Sequence, residues 1–122
     1  MNKTNKSIEE KIKLVKSVNK NVRSSTRKLN PILRGIVGKK VDVAIRNLEF
    51  SDKRICFDVK KTLSSAIANA ENNHNLAAGT LTIRNAIVEQ GPSFRRHRVA
   101  SRGRVHPYHK RTSHLRIVLT DE

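Results

Sequence analysis

The sequence predicts an α+β fold in which three helices pack on a small antiparallel sheet and a long β-hairpin protrudes from it. Apolar residues recur at helical spacing through the middle of the chain, then give way to two stretches of strand-like alternation, TLTIRNAIVEQ from Thr80 and HLRIVLT from His114. Between those stretches lies Gly91–Ser113, too polar to pack and too long for an ordinary turn, so the strands are the arms of an extended hairpin or the borders of a disordered loop. The 122 residues suit one domain. It is expected to span residues 12–122, with the hairpin at about 80–120 and a flexible N-terminal extension over residues 1–11.

Taken in order, Ile12–Arg23 alternates imperfectly, with Ile12, Leu14 and Val18 separated by lysines, and reads in part as a strand. Ser24 and Ser25 can cap a helix entered at Thr26. Pro31 would interrupt that helix, or, with Asn30 before it, start a second one, so a kinked or two-part helix ending before Gly35 or Gly38 is expected. From Lys40 to Leu48, Val41, Ala44, Ile45 and Leu48 share one helical face. Ser51 can cap the next helix, about Asp52 to Asn73, whose apolar face is Ile55, Val59, Leu63, Ile67 and Ala70, and the asparagines of ENNHN end it. In the last strand Leu115, Ile117 and Leu119 form one face and Arg116, Val118 and Thr120 the other. Phe50 and Phe57 are expected in the core, and Cys56 as a small core or half-buried residue.

Charge limits the partners. Twenty-six Lys and Arg against ten Asp and Glu leave a net charge of +16. Such a chain repels itself in any compact state without a polyanion to neutralise it. No apolar run is long enough to span a bilayer, so membrane insertion is not expected. A lone cysteine and an N-terminus without a secretory apolar run point to a reducing compartment.

The segment from Gly91 to His114 holds six arginines, one lysine, four of the five histidines and no carboxylate. As a β-ribbon of about ten residues per arm it would project on the order of 30 Å. Arg95, Arg96, Arg98, Arg102, Arg104, Lys110 and Arg111 would then meet phosphates, the guanidinium groups in bidentate fashion. Phe94 and Tyr108 lie in this arm. His106 and His109 form an HxxH pair, but no cysteine or carboxylate accompanies them and the cationic surroundings repel a divalent ion. Histidine general acid-base chemistry would need two imidazoles held in fixed geometry, which this stretch does not provide. Neither a metal, a cofactor nor an enzymatic activity is therefore expected. With so few aromatic residues, readout of RNA backbone and shape is expected in preference to serial base stacking.

Several stretches carry a family likeness. SAIANAENNH (Ser65–His74), EQGPSFRR (Glu89–Arg96), RGR (Arg102–Arg104), KRTSH (Lys110–His114) and GKKVDVAIRNL (Gly38–Leu48) together closely resemble the bacterial-type large-subunit ribosomal protein twenty-two family. The likeness covers about Val22 to Asp121. It implies a structural, non-enzymatic protein of the large subunit, near the tunnel exit, whose hairpin threads between rRNA segments, assists assembly and lines the nascent-peptide tunnel with its tip. Its implied partners are large-subunit rRNA, neighbouring large-subunit proteins and the nascent polypeptide, and its implied location is the ribosome of a bacterial cytoplasm or a plastid.

Carried over by position, Arg95, Arg96, Arg98, Lys110, Arg111, Thr112, Ser113 and His114 would contact rRNA along the arms, and Ala100, Ser101, Arg102, Gly103, Arg104 and Val105 would form the tip. Ser24, Arg27 and Lys28 resemble the family's first-helix positions, and Asn69, Asn72 and Asn73 its RNA-facing end of the third helix. Arg23, Lys39 and Lys40 belong to the same expected rRNA-binding set. The chain departs from the family pattern at Val99 and Ala100, where proline and arginine are usual, at Pro31, and in the run His106–His109. A free DNA-binding protein with a β-arm is the main alternative. It would need a symmetric dimer surface, which the sequence does not show.

Overall fold

A computed structural model describes residues 14–121. Its elements are β1 (Leu14–Val22), α1 (Thr26–Ile36), α2 (Val41–Glu49), α3 (Ile55–His74), β2 (Leu81–Val99) and β3 (Val105–Asp121). The three strands form an antiparallel sheet in the order β1-β3-β2, and the helices cover one face of it. The expected extension over residues 1–11 and the strand start at Ile12 lie outside the described residues.

The core follows the helical and strand spacing. Leu29 and Leu33 of α1, Val41 and Ala44 of α2, and Val59, Leu63 and Ala66 of α3 meet Ile83 of β2 and Leu115, Ile117 and Leu119 of β3, all buried. Cys56 is buried as well. Helix α3 ends where its asparagines cluster. Asn75 takes the left-handed conformation (φ 52°), and the Leu76 N–H donates to the Ala70 carbonyl, so the buried Leu76 seals the last turn. The free edge of β2 is covered by the α1–α2 connection, where Gly38 N–H donates to the Ile83 carbonyl and Ile83 N–H to the Lys39 carbonyl.

Three expectations change, and strand pairing decides the inner face of β1. Helix α1 runs unbroken from Thr26 to Ile36 with Pro31 inside it. The missing proline donor falls on an exposed face, and the buried Leu29, Leu33 and Ile36 hold the turns on either side. Ser51 does not cap α3, which begins at Ile55 with Arg54 at the N-cap position, and the Ser25 side chain makes no capping bond to α1. The buried face of β1 is Val15 and Ser17, while Leu14 and Val18 are exposed. Pairing decides this, because Val15 lies opposite Leu119 and Ser17 opposite Ile117, and a one-residue slip exchanges the faces of a strand. Finally, Phe50 is 87% and Phe57 72% exposed. Val59 and Leu63 occupy the inward positions of α3 and leave Phe57 on the outer side of its first turn.

The polar stretch is an ordered two-stranded arm. From Ser93–Arg111 to Val99–Val105, seven pairs continue beyond the three-stranded sheet, about 24 Å at strand rise. Its turn is only Ala100–Arg104, closed by Ala100 N–H to the Arg104 carbonyl, with Arg102 and Gly103 both at positive φ. Where the arm leaves the sheet, β2 bulges at Gly91–Pro92 opposite Thr112 and β1 bulges at Lys20–Asn21 opposite His114. A Cβ on Gly91 would stand 2.6 Å from Thr112 Oγ1 and 3.2 Å from Thr112 backbone.

Three stability outcomes follow, all read from urea unfolding. Leu63→Ala should lower the unfolding free energy by about 2–5 kcal/mol, and Phe50→Ala should change it by no more than about 0.5 kcal/mol. Gly91→Ala should cost about 1–3 kcal/mol through overpacking against Thr112 and speed hydrogen exchange of amides at the arm's base.

Candidate nucleic-acid interface

The arm does not leave the domain as an isolated ribbon. At its base the end of β1, the start of α1, the start of α3 and β3 enclose an open groove of about 740 Å³. Six cations line it: Arg23 from the end of β1, Lys28 from α1, Lys53 and Arg54 from the α2–α3 connection, and Lys110 and Arg111 from the arm. Among the described residues no Asp or Glu lines it, and Pro31, Ile55 and Phe94 supply apolar surface. Arg54 is positioned by a 3.0 Å bond from its guanidinium to the Arg23 carbonyl. Fixed guanidinium and ammonium groups around a water-open cleft without a carboxylate suit a phosphate backbone.

Three consecutive residues of β3 build this corner. Thr112 Oγ1 donates to the Pro92 carbonyl at 2.6 Å, Ser113 Oγ to the Ser24 carbonyl at 2.7 Å, and His114 Nδ1 accepts from Asn21 N–H at 3.1 Å. Each bond ties the arm to a different neighbour, β2, the β1–α1 corner and the β1 bulge. Ser113, expected among the rRNA contacts, is fully buried and its hydroxyl is engaged within the protein. Thr112 and Ser24 border the groove but are themselves buried, so they shape the site more than they present polar atoms to a ligand.

The other expected residues separate into distinct places. Arg23, Lys28, Lys110 and Arg111 converge in the groove. Arg95, Arg96, Arg98, Arg102 and Arg104 are exposed along the arm and its tip. The Arg96 guanidinium lies 5.7 Å from the Phe94 ring centre, and that of Arg98 lies 5.4 Å from the Tyr108 ring centre. These contacts hold two long side chains along one face of the ribbon, at about 0.5–1 kcal/mol each. Arg27 is exposed on α1 outside the groove lining. Lys39 and Lys40 stand at the edge of β2. Asn72 and Asn73 are exposed at the far end of α3, about 27 Å from its start by helical rise. Asn69 is half-buried and donates to the Lys16 carbonyl of β1 at 3.4 Å, a packing role that its expected RNA contact did not include.

Sequence reasoning missed Ser25, Lys53 and Arg54. The run SDKR contains the signal, a basic pair next to a helix start. With α3 drawn from Asp52, those side chains would have belonged to its first turn. In the structure the helix begins at Ile55 and the pair faces the arm.

Together, the groove and the arm define a polyanion-binding α+β domain with a projecting β-ribbon. Comparison with known proteins makes the assignment specific. Residues 17–120 match the family model described as ribosomal protein L22p/L17e. The "Large ribosomal subunit protein uL22" of Pelagibacter ubique is 49% identical over 121 residues, covering 99% of this chain and 92% of that protein. The uL22 proteins of Beijerinckia indica and Opitutus terrae are 47% and 41% identical, covering 87% and 88% of this chain and 82% and 95% of their own lengths. The chain therefore belongs to the L22p/L17e family of ribosomal proteins.

Replacing Lys28, Lys53, Lys110 and Arg111, all exposed groove residues, by glutamine should leave the unfolding midpoint nearly unchanged. The slope of log affinity for structured RNA against log salt should fall by roughly three units, as four phosphate contacts are lost.

Proposed function

We propose that this protein is a structural constituent of the large ribosomal subunit that binds large-subunit rRNA, assists its assembly and lines the nascent-peptide exit tunnel with the tip Ala100–Val105. The observation that carries the reading is a groove lined by six cations and, among the described residues, no carboxylate, continuing into an arm whose cations lie on both faces. Phe94, Arg96, Arg98 and Lys110 alternate with Arg95 and Arg111 along the paired strands. A ribbon charged on both faces has no protein side to pack on, so its partner must surround it. Folded RNA does this, supplying phosphate on either side, whereas a duplex groove meets one face of a ribbon.

The tip supports the same reading. Val99 and Val105 are paired with each other and are 85% and 56% exposed, with Arg102 and Arg104 beside them. An environment offering both apolar surface and phosphate, as a tunnel wall of RNA with a polypeptide passing it would, accommodates both residue types. In this reading residues 12–122 form one rRNA-binding domain behind an extension over residues 1–11, neighbouring large-subunit proteins contact its remaining surface, and the protein resides on a bacterial ribosome. It has no catalytic role, in keeping with a family of structural ribosomal proteins.

The test measures salt-dependent binding of the full chain to large-subunit rRNA fragments, beside a variant in which residues 94–111 are replaced by a two-residue turn. Seven cations leave with the arm, and the log–log slope should fall by roughly five or six units. An unchanged slope would assign rRNA binding to the globular face alone and overturn the role of the arm.

A further inference from the structure

Phe50 and Phe57 are the two most exposed aromatic rings of the described residues, and both flank the α2–α3 connection. Phe57 lies in the first turn of α3. Arg54 precedes it by three residues and Lys60 and Lys61 follow by three and four, so cations surround the ring on one side of the helix. Beside it is a shallow hollow of about 330 Å³, floored by the buried Leu48 and Cys56 and rimmed by Ser51 and Asp52. Glu49 at its border is engaged by Lys60 at 2.6 Å. Lys53 and Arg54 line both this hollow and the basic groove, which makes the two continuous.

A protein partner covering Phe57 would have to strip water from several cations to bury one ring. A nucleic acid would place a base on the ring and phosphates on those cations at once. Resting on the RNA reading above, we propose that the hollow beside Phe57 receives one unpaired nucleobase of the RNA bound in the groove, stacked on the Phe57 ring. Lys53 and Arg54 carry the strand from the groove into the hollow. The Asp52 carboxylate, an acceptor only, faces the base edge and favours bases with an exocyclic amino group over uracil, which has none.

The chain has no tryptophan, so Phe57→Trp gives a single reporter at the site. A short single-stranded oligoadenylate should quench its emission strongly, oligouridylate less, and a duplex of the same length little. Asp52→Asn should narrow the difference between the two single strands. Phe57→Ala should weaken oligoadenylate binding about tenfold and leave the salt slope unchanged, because no phosphate contact is removed. The proposal is overturned if Phe57→Ala binds every RNA as the parent does while Lys53→Gln with Arg54→Gln weakens binding; the groove then holds RNA without a base site. Full RNA affinity of Phe57→Ala combined with failure to enter large subunits would give the ring to a neighbouring protein, which also overturns it. If the Lys53 and Arg54 substitutions change neither affinity nor slope, phosphate binding in the groove is refuted with it.

Discussion

Strand β3 has one partner from Val105 to Thr112 and two from Ser113 to Thr120, and the rest of the structure depends on that change. Its C-terminal half is the central strand of the sheet, holding Leu115, Ile117 and Leu119 against the helices. Its N-terminal half is one side of the arm. One continuous strand therefore fixes the direction of a ribbon that buries little of its own surface to the orientation of a packed core. Ser113 stands at the transition, bonded to the Ser24 carbonyl, with bulges on either side of it in β1 and β2. The bulges bend both outer strands where the sheet narrows from three strands to two. They also create the tight approach at Gly91, where a side chain has no room.

Electrostatics then complete what the core leaves open. Among the described residues there are two ion pairs, Lys60–Glu49 and Arg116–Glu89, both exposed and away from the groove. Pairs of this kind contribute about 0–1 kcal/mol each. Among the described residues, the cations of the arm and its base have no carboxylate partner. A free two-stranded ribbon is marginal in water, and like-charge repulsion along it weakens it further. The same charge becomes favourable when phosphate packs on both faces. The sequence thus gives up stability in the isolated molecule for strength in the assembled one.

Local signals in the sequence were legible where they were redundant. The 3.6-residue spacing of α2 and α3, the asparagines ending α3, and the Leu115–Ile117–Leu119 face each follow from several residues that agree. Where one or two residues had to decide, the reading failed. The imperfect alternation of β1 assigns no inner face, and pairing with β3 buries Val15 and Ser17. Phe50 and Phe57 look like core by composition, but the inward positions around them are already filled.

The sequence alone determined the fold class, the hairpin and its charge, because hydrophobic period, turn residues and net charge are properties of neighbours along the chain. Its motifs also marked Thr112, Ser113 and His114 as important without showing why. Only the tertiary structure decided that these three clamp the arm, that Lys53 and Arg54 join the groove, and which face of β1 is inside. Each of those outcomes depends on which distant backbone atom a side chain meets. Ser113 reaches Ser24 across 89 residues, and His114 reaches Asn21 across 93. No local period encodes a partner at that separation; strand register and the packing of α3 against the sheet do.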